Sequence, residues 1–210
     1  MRIILLLPLV LLGCAEDTTQ PRGPAAILRL DRMKDQVLRT DWAGLAATNL
    51  DACAGPNDAV CAESQALRAR GCRIRAEATP DIAARRPLLD CAVEGTRAAL
   101  AASTATPPAE TARWREALAW SLFERRQVQP RAAICADNMA LREQTDRVGS
   151  RFLSASARLT EVAEGCGAPD ARCGTLAETR RLLTPAPPGD ARWASMAAAT
   201  TGESRRLGCR

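Results

Sequence analysis

An all-α protein of antiparallel helical hairpins, cross-linked by disulfides, is predicted from three features of the 210-residue chain. Ala, Leu and Arg are abundant, and all three are strong helix formers. No sustained alternation of Val, Ile or Thr with polar residues appears, so strands are not expected. Apolar residues instead recur at spacings of three and four. The Pro- and Gly-bearing gaps between these segments are short, which makes successive helices antiparallel neighbours.

The chain opens on a different kind of segment. Arg2 is the only charge ahead of the apolar run from Ile3 to Leu12. A helical segment of that length covers about half of the ~30 Å hydrocarbon core of a bilayer. A basic start, a short apolar stretch and small residues at its end therefore read as an export signal. Leu11-Leu12-Gly13-Cys14 resembles the lipobox of bacterial lipoproteins. The resemblance implies a diacylglycerol on the Cys14 thiol, cleavage just before that residue and acylation of the new amine. Several acyl chains would hold the protein to a leaflet, since stable anchoring takes two membrane signals. On this reading 1–13 is a signal peptide, 14–24 a lipidated cysteine and flexible tether, and 25–210 a single helical domain. The protein would then sit in the bacterial cell envelope, in the outer membrane facing the periplasm. Gly13-Cys14-Ala15 also suits ordinary cleavage after Ala15, which would release a soluble chain. The tether "AEDTTQPRGP" carries two Pro and one Gly and lacks apolar periodicity.

The helices follow in order. Ile27, Leu30, Lys34 and Val37 share one face, with the Lys34 stem able to lie along it. Asp41 is an N-cap candidate for a helix to about Cys53, with Trp42, Leu45, Ala46 and Asn49 on one side. Ala62 to Ala78 aligns Leu67, Gly71, Ile74 and Ala78. The next helix aligns Leu89, Val93, Thr96 and Leu100, and Pro87 places its start near Arg86. "LAASTATPPAE" (100–110) breaks the pattern. Glu110 to Arg126 is apolar on several sides, which predicts a central helix. Helices from Pro130 to about Val148, Arg151 to Glu164 and Asp170 to Leu183 come next. "TPAPPGD" (184–190) precedes a short one around Trp193 and Met196.

Paired helices of this length point to helical-hairpin repeats. The stretch "WREALAWSLFERRQVQPRAAICADNMAL" resembles a tetratricopeptide unit through Ala133, Ala140 and Leu141 in its second helix. Phe123 is out of place for that family, and its Trp-Leu-Gly-Tyr pattern is absent. Leu67 to Ala92 resembles it more weakly. A nonrepetitive bundle accounts for the pattern equally well.

Beyond Cys14 the chain holds eight cysteines, an even number that in an exported protein points to disulfides. "CAGPNDAVC" and "CGAPDARC" each place a turn between two Cys. A helix–loop–helix connection brings such ends to the ~5.5 Å Cα separation of a disulfide. Cys53–Cys61 and Cys166–Cys173 are therefore expected, which leaves Cys72–Cys91 and Cys135–Cys209, with other connectivities open.

Several chemistries lack their parts. The chain has no His and no Cys-x-x-Cys, which removes Ser-His and Cys-His catalysis and a thioredoxin-like site and leaves zinc without ligand spacing. No Gly-rich phosphate loop is present, and no cofactor or metal is called for. The sole lysine, Lys34, lies near Asp31 and Asp35 and reads as a solvated charge rather than a catalytic base. Net charge is +5, carried by 28 Arg. Arg68, Arg70, Arg73, Arg75, Arg85, Arg86, Arg125 and Arg126 cluster, but export argues against a nucleic-acid partner, and polar helix faces account for them. The expected function is a membrane-anchored, noncatalytic module that binds a protein partner of the envelope. Trp114, Trp120 and Arg125 are its candidate contact residues. The alternative is a cell-wall hydrolase using paired carboxylates.

Overall fold

The computed structural model describes residues 23–209, so Cys14 and the leader lie outside the described part. The protein is all-α, with nine α-helices among the described residues and no strand. The helices are α1 (Pro24–Leu38), α2 (Trp42–Ala47), α3 (Ala59–Glu77), α4 (Ile82–Ala101), α5 (Pro108–Val128), α6 (Arg131–Val148), α7 (Arg151–Ala163), α8 (Arg172–Leu182) and α9 (Ala191–Arg206). A 3₁₀ turn at Pro169–Ala171 leads into α8. No helix among the described residues is long and apolar enough to cross a membrane.

Each helix packs against the next in sequence, and α1, α3, α5, α7 and α9 also pack on one another in succession. The even helices rest chiefly on their sequence neighbours. The result is two layers, an odd one whose members touch and an even one draped over it. Layering of this kind does not make the hairpins tetratricopeptide units. The central position expected for α5 is found: it packs on α3, α4, α6 and α7.

Caps explain most boundaries. Asp41, Asp58 and Asp81 accept the backbone N–H of Gly44, Cys61 and Ala84, satisfying donors that a helix start leaves free. Asp81 starts α4 at Ile82, ahead of the expected Arg86, so Pro87 lies inside the helix. The aspartate cap sets the boundary there in spite of the N–H that proline lacks. Between α6 and α7 the chain reverses in two residues. Gly149 takes a left-handed conformation (φ 71°), and Ser150 caps α7 through Leu153 N–H.

Three further expectations shift. The second helix stops at Ala47 instead of running to Cys53, because the chain must return to the start of α3, where Cys53 is bonded to Cys61. On α3 the buried face is Ala62, Gln65, Ala69, Cys72 and Ala76, together with Gly71 of the expected line, while Leu67 and Ile74 are only half-buried. The last helix is longer than expected and ends at Arg206. On α1, Leu30 and Met33 are buried while Ile27 stays exposed. Lys34 forms an exposed ion pair with Glu63 of α3 at 3.0 Å.

Four disulfides are present. Cys53–Cys61 and Cys72–Cys91 form as expected, with Cα separations of 5.5 and 6.0 Å. The other two are exchanged: Cys135 bonds Cys166 and Cys173 bonds Cys209, at 5.3 and 5.4 Å. The reason is antiparallel packing. The start of α6 lies beside the end of α7, and the start of α8 beside the end of α9, so each bridge closes a whole hairpin. Cys166 and Cys173, though close in sequence, serve different hairpins.

Candidate functional site

The chain has only six aromatic residues, and four of them meet where α5, α7 and α9 pack. Trp120 stacks on Phe152 with centroids 6.1 Å apart and meets Phe123 edge-on at 5.6 Å. Phe152 reaches Phe123 at 5.9 Å and Trp193 at 5.7 Å. Guanidiniums border the cluster, with Arg126 over Phe123, Arg151 over Trp193 and Arg192 over Phe152. Leu118, Leu122, Leu141 and Leu153 complete this core. Trp120 is half-buried within it, so its ring is chiefly a packing element.

Two grooves open along the odd helices. The first, about 290 Å³, lies between α3 and α5. Trp114 is in its wall, half-buried, among Arg70, Arg73, Arg113, Glu63 and Glu110. The second, about 780 Å³, has a floor of Phe152, Ser156, Leu159 and Thr160 from α7. Its sides are Phe123 and Arg126 from α5 and Arg192 and Met196 from α9, with Ile134 of α6 at one end. Helical spacing places each set on one stripe of its helix.

Arg125, the third candidate contact residue, is turned inward. Its Nε donates to Asp137 Oδ2 at 2.9 Å, Nη2 to Asp137 Oδ1, and Nη1 to Asp90 Oδ1 at 3.2 Å. The fork ties α5 to α6 and α4. Burial pulls the pKa of Arg125 down, but the bonds to Asp137 and the two carboxylate charges outweigh it and leave the pKa raised. Arg126 beside it is equally buried and is bonded only to neutral acceptors. Nη1 reaches Asn138 Oδ1 at 2.7 Å, and Nη2 donates to Ser156 Oγ. Asn138 in turn donates to the carbonyl of Ala157 at 2.9 Å. Desolvation lowers the pKa of Arg126 to about 10, and it remains a cation at neutral pH.

Paired carboxylates do occur, as Glu77 and Glu124. Burial first, then the charge of Glu77, push the Glu124 carboxyl above its ordinary range against Arg73 and Arg85. Arg73 ion-pairs with Glu77, and Arg85 lies 3.7 Å from Glu124. Each acid thus has its own guanidinium, and the four charges join α3, α4 and α5.

Sequence reasoning named Trp114 as a contact residue, and Trp114 lines a groove. The same reasoning took Arg126 for part of a polar helix face, whereas the side chain is buried, and it missed Asp137 and Asn138. A signal was present. Arg125 to Asp137 and Arg126 to Asn138 are the same number of residues apart, which is the register of the α5–α6 hairpin. An Asp-Asn pair on the core-facing side of a helix calls for such partners. Set against models of protein families, curated proteins and solved structures, the chain matches none.

Proposed function

We propose that the protein is an extracytoplasmic lipoprotein, held to a leaflet through Cys14, that binds a protein partner of the cell envelope without catalysing a reaction. The observation that carries the binding reading is the α3–α5 groove. It presents a half-buried Trp114 inside a ring of three Arg and two Glu. Trp and Arg are the side chains that most often anchor protein interfaces, and a surrounding polar rim excludes water from them. Four disulfides are compatible with life outside the reducing cytosol. Arg125, enclosed between Asp90 and Asp137, supports the surface from within.

Photochemical crosslinking of the full chain in its native envelope tests the binding reading. One complex is expected, recovered reproducibly, crosslinked through α3 and α5, and lost with Trp114→Ala. Recovery of no partner, together with activity on purified cell wall, overturns the reading. Intact mass tests the anchor: a chain beginning at Cys14 and carrying acyl mass is expected. An unmodified chain beginning at Glu16 removes the anchor.

A further inference from the structure

The α5–α7–α9 groove differs from the one at Trp114. Its walls are mostly carbon: Phe123, Ile134, Phe152, Leu159 and Met196. Its volume of about 780 Å³ falls in the range of small-molecule sites, which are apolar with few convergent polar groups. The polar group that sets it apart is Arg126, 6% exposed and lining the groove.

A buried cation is expensive unless it is paired. Among the described residues no carboxylate ion-pairs with Arg126: its hydrogen-bond partners are an amide oxygen, a hydroxyl and a carbonyl. Asp137, the acid whose charge acts on it, is already gripped by Arg125 through both oxygens. The second cation of the groove, Arg192, lies over Phe152 and is exposed on the rim, paired with Asp190. The one acid of the groove, Glu164, is paired with Arg131 at 3.3 Å. The groove therefore offers an apolar trough with an unneutralised guanidinium in its wall.

We propose that this groove binds a long-chain monocarboxylate, an amphiphile whose alkyl chain lies along Phe152, Leu159 and Met196 and whose carboxylate meets Arg126 and Arg192.

 The aliphatic wall contributed by Leu159 and Met196 takes the chain out of water, and the guanidinium pair selects the charge of the head. An anionic head supplies the counterion that Arg126 lacks, in a charge-assisted hydrogen bond strengthened by the apolar surroundings. An uncharged or cationic head of equal chain length leaves the guanidinium desolvated and unpaired. This site goes beyond the protein-binding reading and uses a different groove, so either can fail alone.

The test uses the purified full chain in a neutral detergent and a dodecanoate that carries a photoreactive diazirine near its methyl end. Labelling is expected within 151–164 and 191–206. Unlabelled dodecanoate should compete about tenfold better than dodecanol or dodecyltrimethylammonium. Ser195→Trp, a change on the exposed face of α9 that fills the groove without touching the core, should abolish labelling while far-UV circular dichroism and Tm stay unchanged. Arg126→Gln should narrow the preference for dodecanoate over dodecanol to the part that Arg192 supplies, and Arg126→Gln with Arg192→Gln should bring the two to equal potency. Labelling spread over other helices, equal competition by the three amphiphiles with the natural chain, or labelling that survives Ser195→Trp overturns the proposal.

Discussion

Between α3 and its neighbours the backbones nearly touch. A Cβ on Gly95 of α4 would lie 3.1 Å from Ala69 Cβ, and one on Gly71 would lie 2.7 Å from Leu45 Cβ of α2. Between α5, α7 and α9 the spacing is set by rings, with the Phe152 centroid 5.7 Å from that of Trp193 and 6.1 Å from that of Trp120. Small residues let the first region close, and a disulfide between Cys72 and Cys91 locks it. Rings and guanidiniums hold the second region apart, and a groove of about 780 Å³ remains. The contrast teaches that bulk in this fold makes space as well as filling it. Where the chain uses Gly and Ala, helices meet. Where it places its few large side chains, they prop helices open.

The largest effect is expected from Arg125→Met, on helix α5, which borders the propped region and is tied by this residue to α6 and α4. Asp137, 5% exposed, would keep its charge in the interior without a partner, a loss of about 3–5 kcal/mol that urea denaturation would read. Arg125→Met combined with Asp137→Leu should recover most of that loss, because the pair is then removed together. Full loss in the double variant would locate the effect in shape rather than charge.

In the closed region the corresponding change is Gly71→Ala. The added methyl meets Leu45 Cβ and the Ala46 N, and overpacking of this kind costs about 1–3 kcal/mol. Gly174→Ala on α8 is the control. A Cβ there meets nothing within 4 Å, so helix propensity alone acts and stability should rise by about 0.5–1 kcal/mol. Thermal melts of the two variants should move in opposite directions. A stabilised Gly71→Ala would mean that α2 and α3 stand further apart than the 2.7 Å approach at Leu45 Cβ implies.

The smallest effect concerns Glu124, at the junction of the two regions. Its folded-state pKa is raised above 4.5, chiefly by burial. Above the raised value the ionised group carries a folded-state penalty. As pH falls through that value the folded protein takes up a proton that the unfolded chain still lacks, and the penalty disappears. Relative to Glu124→Gln, the natural chain should therefore gain stability as pH falls from neutral towards the ordinary carboxylate range. A difference that is flat with pH would show that Arg85 and Arg73 hold the carboxyl ionised throughout.

Helix existence was legible because spacing and caps are local. Asp41 stands before its helix in the sequence as it does in the structure, and "LAASTATPPAE" interrupts helices α4 and α5 where expected. The disulfides of the last hairpins were not legible, because which helix end lies beside Cys135 depends on how hairpins stack. The α3 core face was placed correctly at Gly71 and wrongly at Leu67 and Ile74, for a related reason. A helix clasped between α2 and α4 buries its small residues, and hydrophobicity alone points to Leu67 and Ile74. At the site, Trp114 was legible as one of the few aromatic side chains, near the start of a helix apolar on several sides. The inward turn of Arg125 was not, since an arginine becomes internal only when acids on two other helices converge on it.

The Lys34–Glu63 contact, modest in energy, carries a practical consequence. Among the side chains of this protein Lys34 is the sole primary amine, and it lies on α1, outside the lining of both odd-layer grooves. An amine-directed dye or spin label therefore marks one side chain, next to Glu63 in the wall of the α3–α5 groove, and reports on that surface from its edge. By the same token, amine-to-amine crosslinkers have almost nothing to grip here, and silence from such reagents would say nothing about what this protein holds.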